Sequence, residues 1–194
     1  MPKIVDHNLY RKELLAKCFD LFAQRGYGSL TMRQVAKEIG VSTGTLYHYF
    51  ASKEELFRQL IEEITEQDIL RATDEIEVQN LKTIKERILA LGQFIAENED
   101  YFYKQTLLFI NFFQQPDLEQ QQLVEAVKLS YKRYQEEMMN FLGINNRAIA
   151  NHVACLIDGL ISQRALDPES VDLQQQMDLL AQMLSTYLDN QPRS

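Results

Sequence analysis

The sequence of 194 residues predicts an all-α fold in two parts, a head of short helices followed by a larger helical body. Three observations predict it. Apolar residues recur at helical spacing almost from end to end, and period-two alternation is scarce. Only 7 glycines and 4 prolines occur, few for the many turns of a β-sandwich. Gly26, Gly28, Gly40 and Gly44 crowd into one short stretch, where helices must be brief and turns sharp, whereas segments lengthen beyond Lys53.

The elements follow in order. Leu14, Leu15, Cys18, Leu21 and Phe22 form one stripe, ended by Gly26, whose missing Cβ suits a left-handed cap. Thr31 with Gln34 has capping-box spacing, Ser52 with Glu55 has it again, and Ser42 caps the helix between them. Longer helices are expected at 53–77, 81–97, 100–114, 117–142, 146–166 and 170–189. Their breaks fall at Asn80, Asn98 to Asp100, Gln115-Pro116, Gly143 to Asn146 and Asp167-Pro168. Pro116 and Pro168 stand where a first-turn proline is tolerated.

Composition narrows the function. The chain is 45% hydrophobic and 25% charged, in the globular range. No apolar run approaches the roughly 18 to 20 residues that span a bilayer, and the first seven residues lack the apolar core of a signal peptide. Cys18 and Cys155 stand far apart without CxxC pairing, which fits a cytoplasmic protein with neither a disulfide framework nor a zinc site. The formal net charge of -8 argues against coating nucleic acid by bulk positive charge. Its distribution reverses that inference. Residues 1–60 hold nine basic and six acidic side chains, whereas the rest hold 11 basic and 22 acidic ones.

The basic excess coincides with the most informative stretch, Thr31 to Phe50. Two helices crossing steeply need a small residue where they approach, and Ala36 supplies it; the turn between them needs positive φ, and Gly40 supplies that. Val35, Ile39, Val41, Leu46 and Tyr49 fall where the inner faces meet. This is helix-turn-helix spacing, with a second helix from about Ser42 to Phe50 that would enter the DNA major groove by its N-terminal end.

The pattern is more specific than that. Arg11, Leu14-Leu15, Cys18, Leu21-Phe22 and Gly26-Tyr27 precede Thr31, Val35-Ala36, Gly40-Val41-Ser42, Gly44-Thr45-Leu46-Tyr47, Tyr49-Phe50 and Ser52 to Leu56. Over about residues 9–57 it resembles the DNA-binding domain of the TetR family of bacterial repressors. Cys18 stands where that family usually has alanine, and the N-terminal extension has no dense basic arm.

The resemblance implies roles by position. Thr43, Gly44 and Tyr47 match positions that reach bases: Gly44 leaves room for close approach, and the two hydroxyls offer polar contact. Arg33 can pair bidentately with guanine or with a phosphate. Thr45, His48, Tyr49 and Lys53 match phosphate-contact positions, and the helix start at Ser42 presents free N–H groups to phosphate oxygens. Tyr47 and Tyr49 also suit a core, and Lys53 a solvated surface. The resemblance further implies a homodimer that reads a palindromic operator, with a domain boundary between residues 1–52, which bind DNA, and 53–194, which bind an effector and dimerise.

The body is dense in aromatics. Phe94, Tyr103, Phe109, Phe112, Phe113, Tyr131 and Tyr134, with Met138 and His152, are the candidate lining of a largely apolar effector pocket. A bundle core needs the same side chains. The last two helices carry wide apolar stripes, and Val153, Ile157, Leu160, Leu180 and Leu184 are expected to face a second subunit; intrachain packing would use them equally well. His152, Cys155 and Asp158 have no supporting metal motif, so a buried histidine and cysteine in a packed helix is the expectation. No GxSxG elbow, Walker loop or dinucleotide fingerprint occurs, so neither catalytic residues nor a cofactor are assigned. The expected function is a cytoplasmic, effector-released repressor; the alternative is a helical small-molecule-binding or adaptor protein that keeps the head as a relic.

Overall fold

A computed structural model describes residues 6–76, 80–114 and 121–190. Among them are nine α-helices and no strand: α1 His7–Arg25, α2 Met32–Glu38, α3 Thr43–Tyr49, α4 Lys53–Glu75, α5 Ile84–Glu97, α6 Glu99–Phe113, α7 Gln121–Leu142, α8 Arg147–Leu166 and α9 Leu173–Asp189. A 3-10 turn, Tyr27–Ser29, follows α1.

Local chemistry sets most of the boundaries. The Thr31 and Gln34 side chains form a full capping box at α2, and the Ser42 hydroxyl accepts the Thr45 amide at α3. At α4 the Ser52 hydroxyl accepts the Glu55 amide, while the Glu55 carboxylate takes Arg58 and Gln59. Two helices begin later than their apolar stripes suggest. A second capping box, Thr83 with Glu86, starts α5 three residues past 81, and Asp172 caps α9 by accepting the Gln175 amide, three residues past 170. An oxygen-bearing cap fixes a start more firmly than periodicity does. The expected beginning of the 117–142 helix lies outside the described residues.

Compactness divides the chain into two units, neither of them continuous. The first is Met1–Glu66 with Lys104–Tyr131, and the second is Gln67–Tyr103 with Lys132–Ser194. The sequence signals put a boundary after residue 52; compactness groups residues 53–66 and 104–131 with the first 52.

The first unit has its own core. Leu14, Leu15, Cys18 and Phe22 of α1, Val35 and Ala36 of α2, Leu46 of α3 and Leu56, Phe57, Leu60 and Ile61 of α4 are all nearly inaccessible. Phe112 stacks on Phe57 with centroids 4.9 Å apart. Burial pushes the Cys18 thiol up to about 12, so it behaves as a small apolar side chain. The second unit centres on one cluster that includes Ile88, Leu91 and Ile95 of α5, Val153, Ile157 and Leu160 of α8, and Met177, Leu180 and Leu184 of α9. Gly92 lets α5 and α9 approach closely: a Cβ there would stand 2.7 Å from Met177 Cγ.

Candidate nucleic-acid interface

The second and third helices are locked from inside. Val35, Ala36, Ile39 and Leu46 are buried, while Val41 and Tyr49 are half-buried. Gly40 turns the chain with φ +77, and the Val41 amide returns to the Ala36 carbonyl at 2.9 Å, a Schellman-type closure. A buried Leu46 fixes the roll of α3, and that roll decides which residues look outward.

The outward residues are the polar ones. Ser42, Gly44, Tyr47 and His48 are exposed, as is Arg33 on α2, and Thr43 and Thr45 are half-buried. The Ser42 hydroxyl also bonds the Thr45 hydroxyl at 2.8 Å, so both serve the start of α3. A Cβ at Gly44 would meet only Ser42 Oγ, at 3.7 Å, so the protein leaves that surface bare. Tyr49 is neither free nor buried: its hydroxyl lies 2.8 Å from His7 Nδ1, and its ring meets Tyr10 edge-on at 5.5 Å.

Lys53 has a different setting from a solvated charge. Its Nζ donates to the Leu30 carbonyl at 3.0 Å and the Tyr27 carbonyl at 3.3 Å, and it stands over the Tyr27 ring. Partial burial lowers its pKa from the ordinary lysine value, and neighbouring Glu54 acts in the opposite sense. Any phosphate it met would share an ammonium already holding the end of the 3-10 turn.

This geometry matches known proteins. Residues 14–60 match the family model described as bacterial regulatory proteins, tetR family. The HTH-type transcriptional regulator BetI of Brucella canis is 28% identical, with 99% of this chain and 98% of that protein aligned. The HTH-type transcriptional regulator PksA of Bacillus subtilis is 31% identical over 52% of this chain and 48% of its own. Over residues 14–60, then, the chain is similar to the DNA-binding region of the TetR family. A likeness of fold extends beyond the head: the crystal structure of the transcriptional regulator FadR from Bacillus subtilis, in complex with stearoyl-CoA, superposes with a TM-score of 0.67 at 21% identity, covering 89% of this chain and 96% of that one. The relatives that align over nearly the whole of this chain are named as HTH-type transcriptional regulators.

The candidate effector residues are divided between the two units. Phe109, Phe112, Phe113 and Tyr131 belong to the first unit, and Phe94, Tyr103, Tyr134, Met138 and His152 to the second. Phe112 fills the core of its unit, whereas Phe113 is 56% exposed. In the second unit, an open groove of about 620 Å³ runs along α5, lined by Leu89, Ala90, Gln93 and Glu97 among others, and a neighbouring one of about 350 Å³ includes Phe94. The Tyr134 hydroxyl donates to Asp68 Oδ2, and Tyr101 donates to Asp68 Oδ1, each at 2.6 Å. Burial, then the Asp68 charge, raises the Tyr101 pKa. Asp68 went unread in the sequence, although it falls on the inner phase of α4 with Ile61 and Thr65, where a carboxylate is out of place.

Val153, Ile157, Leu160, Leu180 and Leu184 are buried within this chain's own cluster. The exposed apolar stripe of α9 is instead Leu179, Met183 and Tyr187, spaced by four. His152 and Cys155, expected to be buried, are exposed on α8. Among the described residues no group of three His, Cys, Asp or Glu could hold a metal, and no helix is long and apolar enough to cross a membrane.

Proposed function

We propose that this regulator is a cytoplasmic homodimeric repressor that reads a palindromic operator and is released by a small, largely apolar effector. The observation that carries the DNA reading is the roll of α3. With Leu46 fully buried, the same helix turns Gly44, Tyr47 and His48 outward, and Arg33 of α2 is exposed as well. In this reading Arg33, Thr43, Gly44 and Tyr47 reach bases, and Ser42, Thr45, His48, Tyr49 and Lys53 hold phosphates.

Dimerisation through α8 and α9 is supported by the Leu179, Met183 and Tyr187 stripe and by Gly159 of α8, which has open space around its Cβ direction. Two heads a helical turn apart would read successive major grooves, about 34–36 Å from centre to centre. Aromatics in the second unit, and a fold shared with a regulator crystallised with stearoyl-CoA, favour an apolar effector. Release then requires only that the effector prefer the conformer whose heads are wrongly spaced.

The test is selection of a duplex from a randomised pool, followed by titration of variants. Thr43→Ala and Arg33→Ala are expected to alter base preference by about 1–3 kcal/mol at single positions while leaving affinity for random DNA nearly intact. Equal losses on selected and random duplexes would remove both residues from base reading.

A further inference from the structure

The start of α1 touches the end of the recognition helix. His7 Nδ1 lies 2.8 Å from the Tyr49 hydroxyl, and the His7 ring stands 6.0 Å from the Tyr49 ring and 6.1 Å from that of His48. Tyr10 meets the Tyr49 ring from the next turn of α1. A hydroxyl counted above among the proposed phosphate contacts is therefore held by an imidazole.

That partner matters because a phenol has one proton to give. If Nδ1 is bare, the Tyr49 hydroxyl donates to it and its proton is used inward. If Nδ1 carries a proton, the ring donates, the hydroxyl accepts, and the phenolic proton is free. A phosphate oxygen only accepts. Tyr49 can therefore hold His7 and a phosphate together only when His7 is the donor.

We propose that His7 is a positioning residue for DNA binding: its Nδ1–H holds the Tyr49 hydroxyl and directs the phenolic proton to a phosphate, so that DNA binding and protonation of His7 favour each other. This rests on the phosphate role proposed above for Tyr49. A neutral ring donates only as one of its two tautomers, whereas an imidazolium always donates. The titratable groups around the ring are Asp6 and Tyr10 beside it on the chain, and His48 and Tyr49 from α3. The Asp6 carboxylate accepts the Asn8 and Leu9 amides.

The experiment uses the full chain and a duplex that it has itself selected from a randomised pool at about pH 7. Affinity is measured from about pH 8 to 6, where imidazoles change charge. The wild type should tighten a few-fold as pH falls, a gain limited by the fraction of neutral rings that already carry the proton on Nδ1. His152→Gln should keep that slope. Tyr49→Phe should flatten it at the weak, high-pH level. His7→Asn, which offers an amide N–H where Nδ1 stood, should bind tightly with little pH dependence, and His7→Leu weakly with little. A flat wild-type profile, a full slope in Tyr49→Phe, or equal weakness of His7→Asn and His7→Leu would each overturn the proposal. Thermal melts confirm that every variant is folded, and His7→Asn carries the test if Tyr49→Phe is not. Failure of the pool to yield any duplex would instead defeat the underlying reading of the head.

Discussion

The ammonium of Lys53 stands 4.3 Å from the centre of the Tyr27 ring while it donates to the Tyr27 carbonyl. The first residue of α4 thereby ties down the 3-10 turn that leads into α2. A lysine at this position has work inside the head whether or not DNA is present.

Lys53→Met keeps the apolar stem and removes the charge. It is expected to lower the stability of the protein by about 1–3 kcal/mol, the scale of a charge-assisted hydrogen bond with a cation–π contact. DNA of every sequence should be bound more weakly. Denaturant unfolding checks the first effect; a wild-type unfolding curve with weakened DNA binding would confine Lys53 to the phosphate backbone.

Gly44→Ala separates fold from function. Alanine is the better helix former by roughly 0.5–1 kcal/mol, and the added Cβ meets only ordinary contact with Ser42. The variant should therefore melt at or above the wild-type temperature yet lose about 1–2 kcal/mol in operator binding, because the methyl group stands where bases approach. Undiminished binding would show that position 44 keeps its distance from DNA.

The two faces of α9 give opposite outcomes. Leu179→Glu combined with Met183→Glu should yield a folded monomer in sedimentation velocity, since both side chains are about half exposed in one chain. Leu180→Glu should unfold the protein instead, because an unpaired charge would enter a site that is 2% exposed. A double variant that still sediments as a dimer would move the interface to another surface.

An ion pair sets an acid limit. The Arg164 guanidinium, bonded to both Glu99 oxygens and to the Pro168 and Val171 carbonyls, holds the Glu99 carboxyl below its ordinary 4.5. A carboxyl depressed in the folded state contributes stability that is complete above its unfolded value and fades as pH falls through the folded one. Arg164→Met should therefore melt below the wild type at neutral pH, and the gap should narrow below about pH 4.5. A gap independent of pH would assign the loss to the two carbonyl bonds alone.

What could be read in advance depended on the range of the interaction. Thr31 with Gln34, Gly40 and Leu46 act within a few residues of one another, so spacing exposed the helix-turn-helix and the polar face it must show. The Thr83 and Glu86 pair was equally local and could have placed the start of α5. Long-range choices were not legible in that way. Leu180 and Leu179 are neighbours on one helix and both belong to apolar stripes; only packing against α5 decides which is interior. The same holds for Phe112, whose stacking on Phe57 no spacing announces, and for His7, which meets Tyr49 across the fold.

The close approach of Gly92 and Met177 carries a lesson about inheritance. With only 2.7 Å between the missing Cβ and Met177 Cγ, no side chain fits at position 92 unless position 177 shrinks or turns away. Neither change is tolerated well alone, because a smaller residue at 177 leaves a void and a larger one at 92 forces the helices apart. The two sites should thus drift as a couple, and a descendant that has lost the glycine should be found to have replaced the methionine as well.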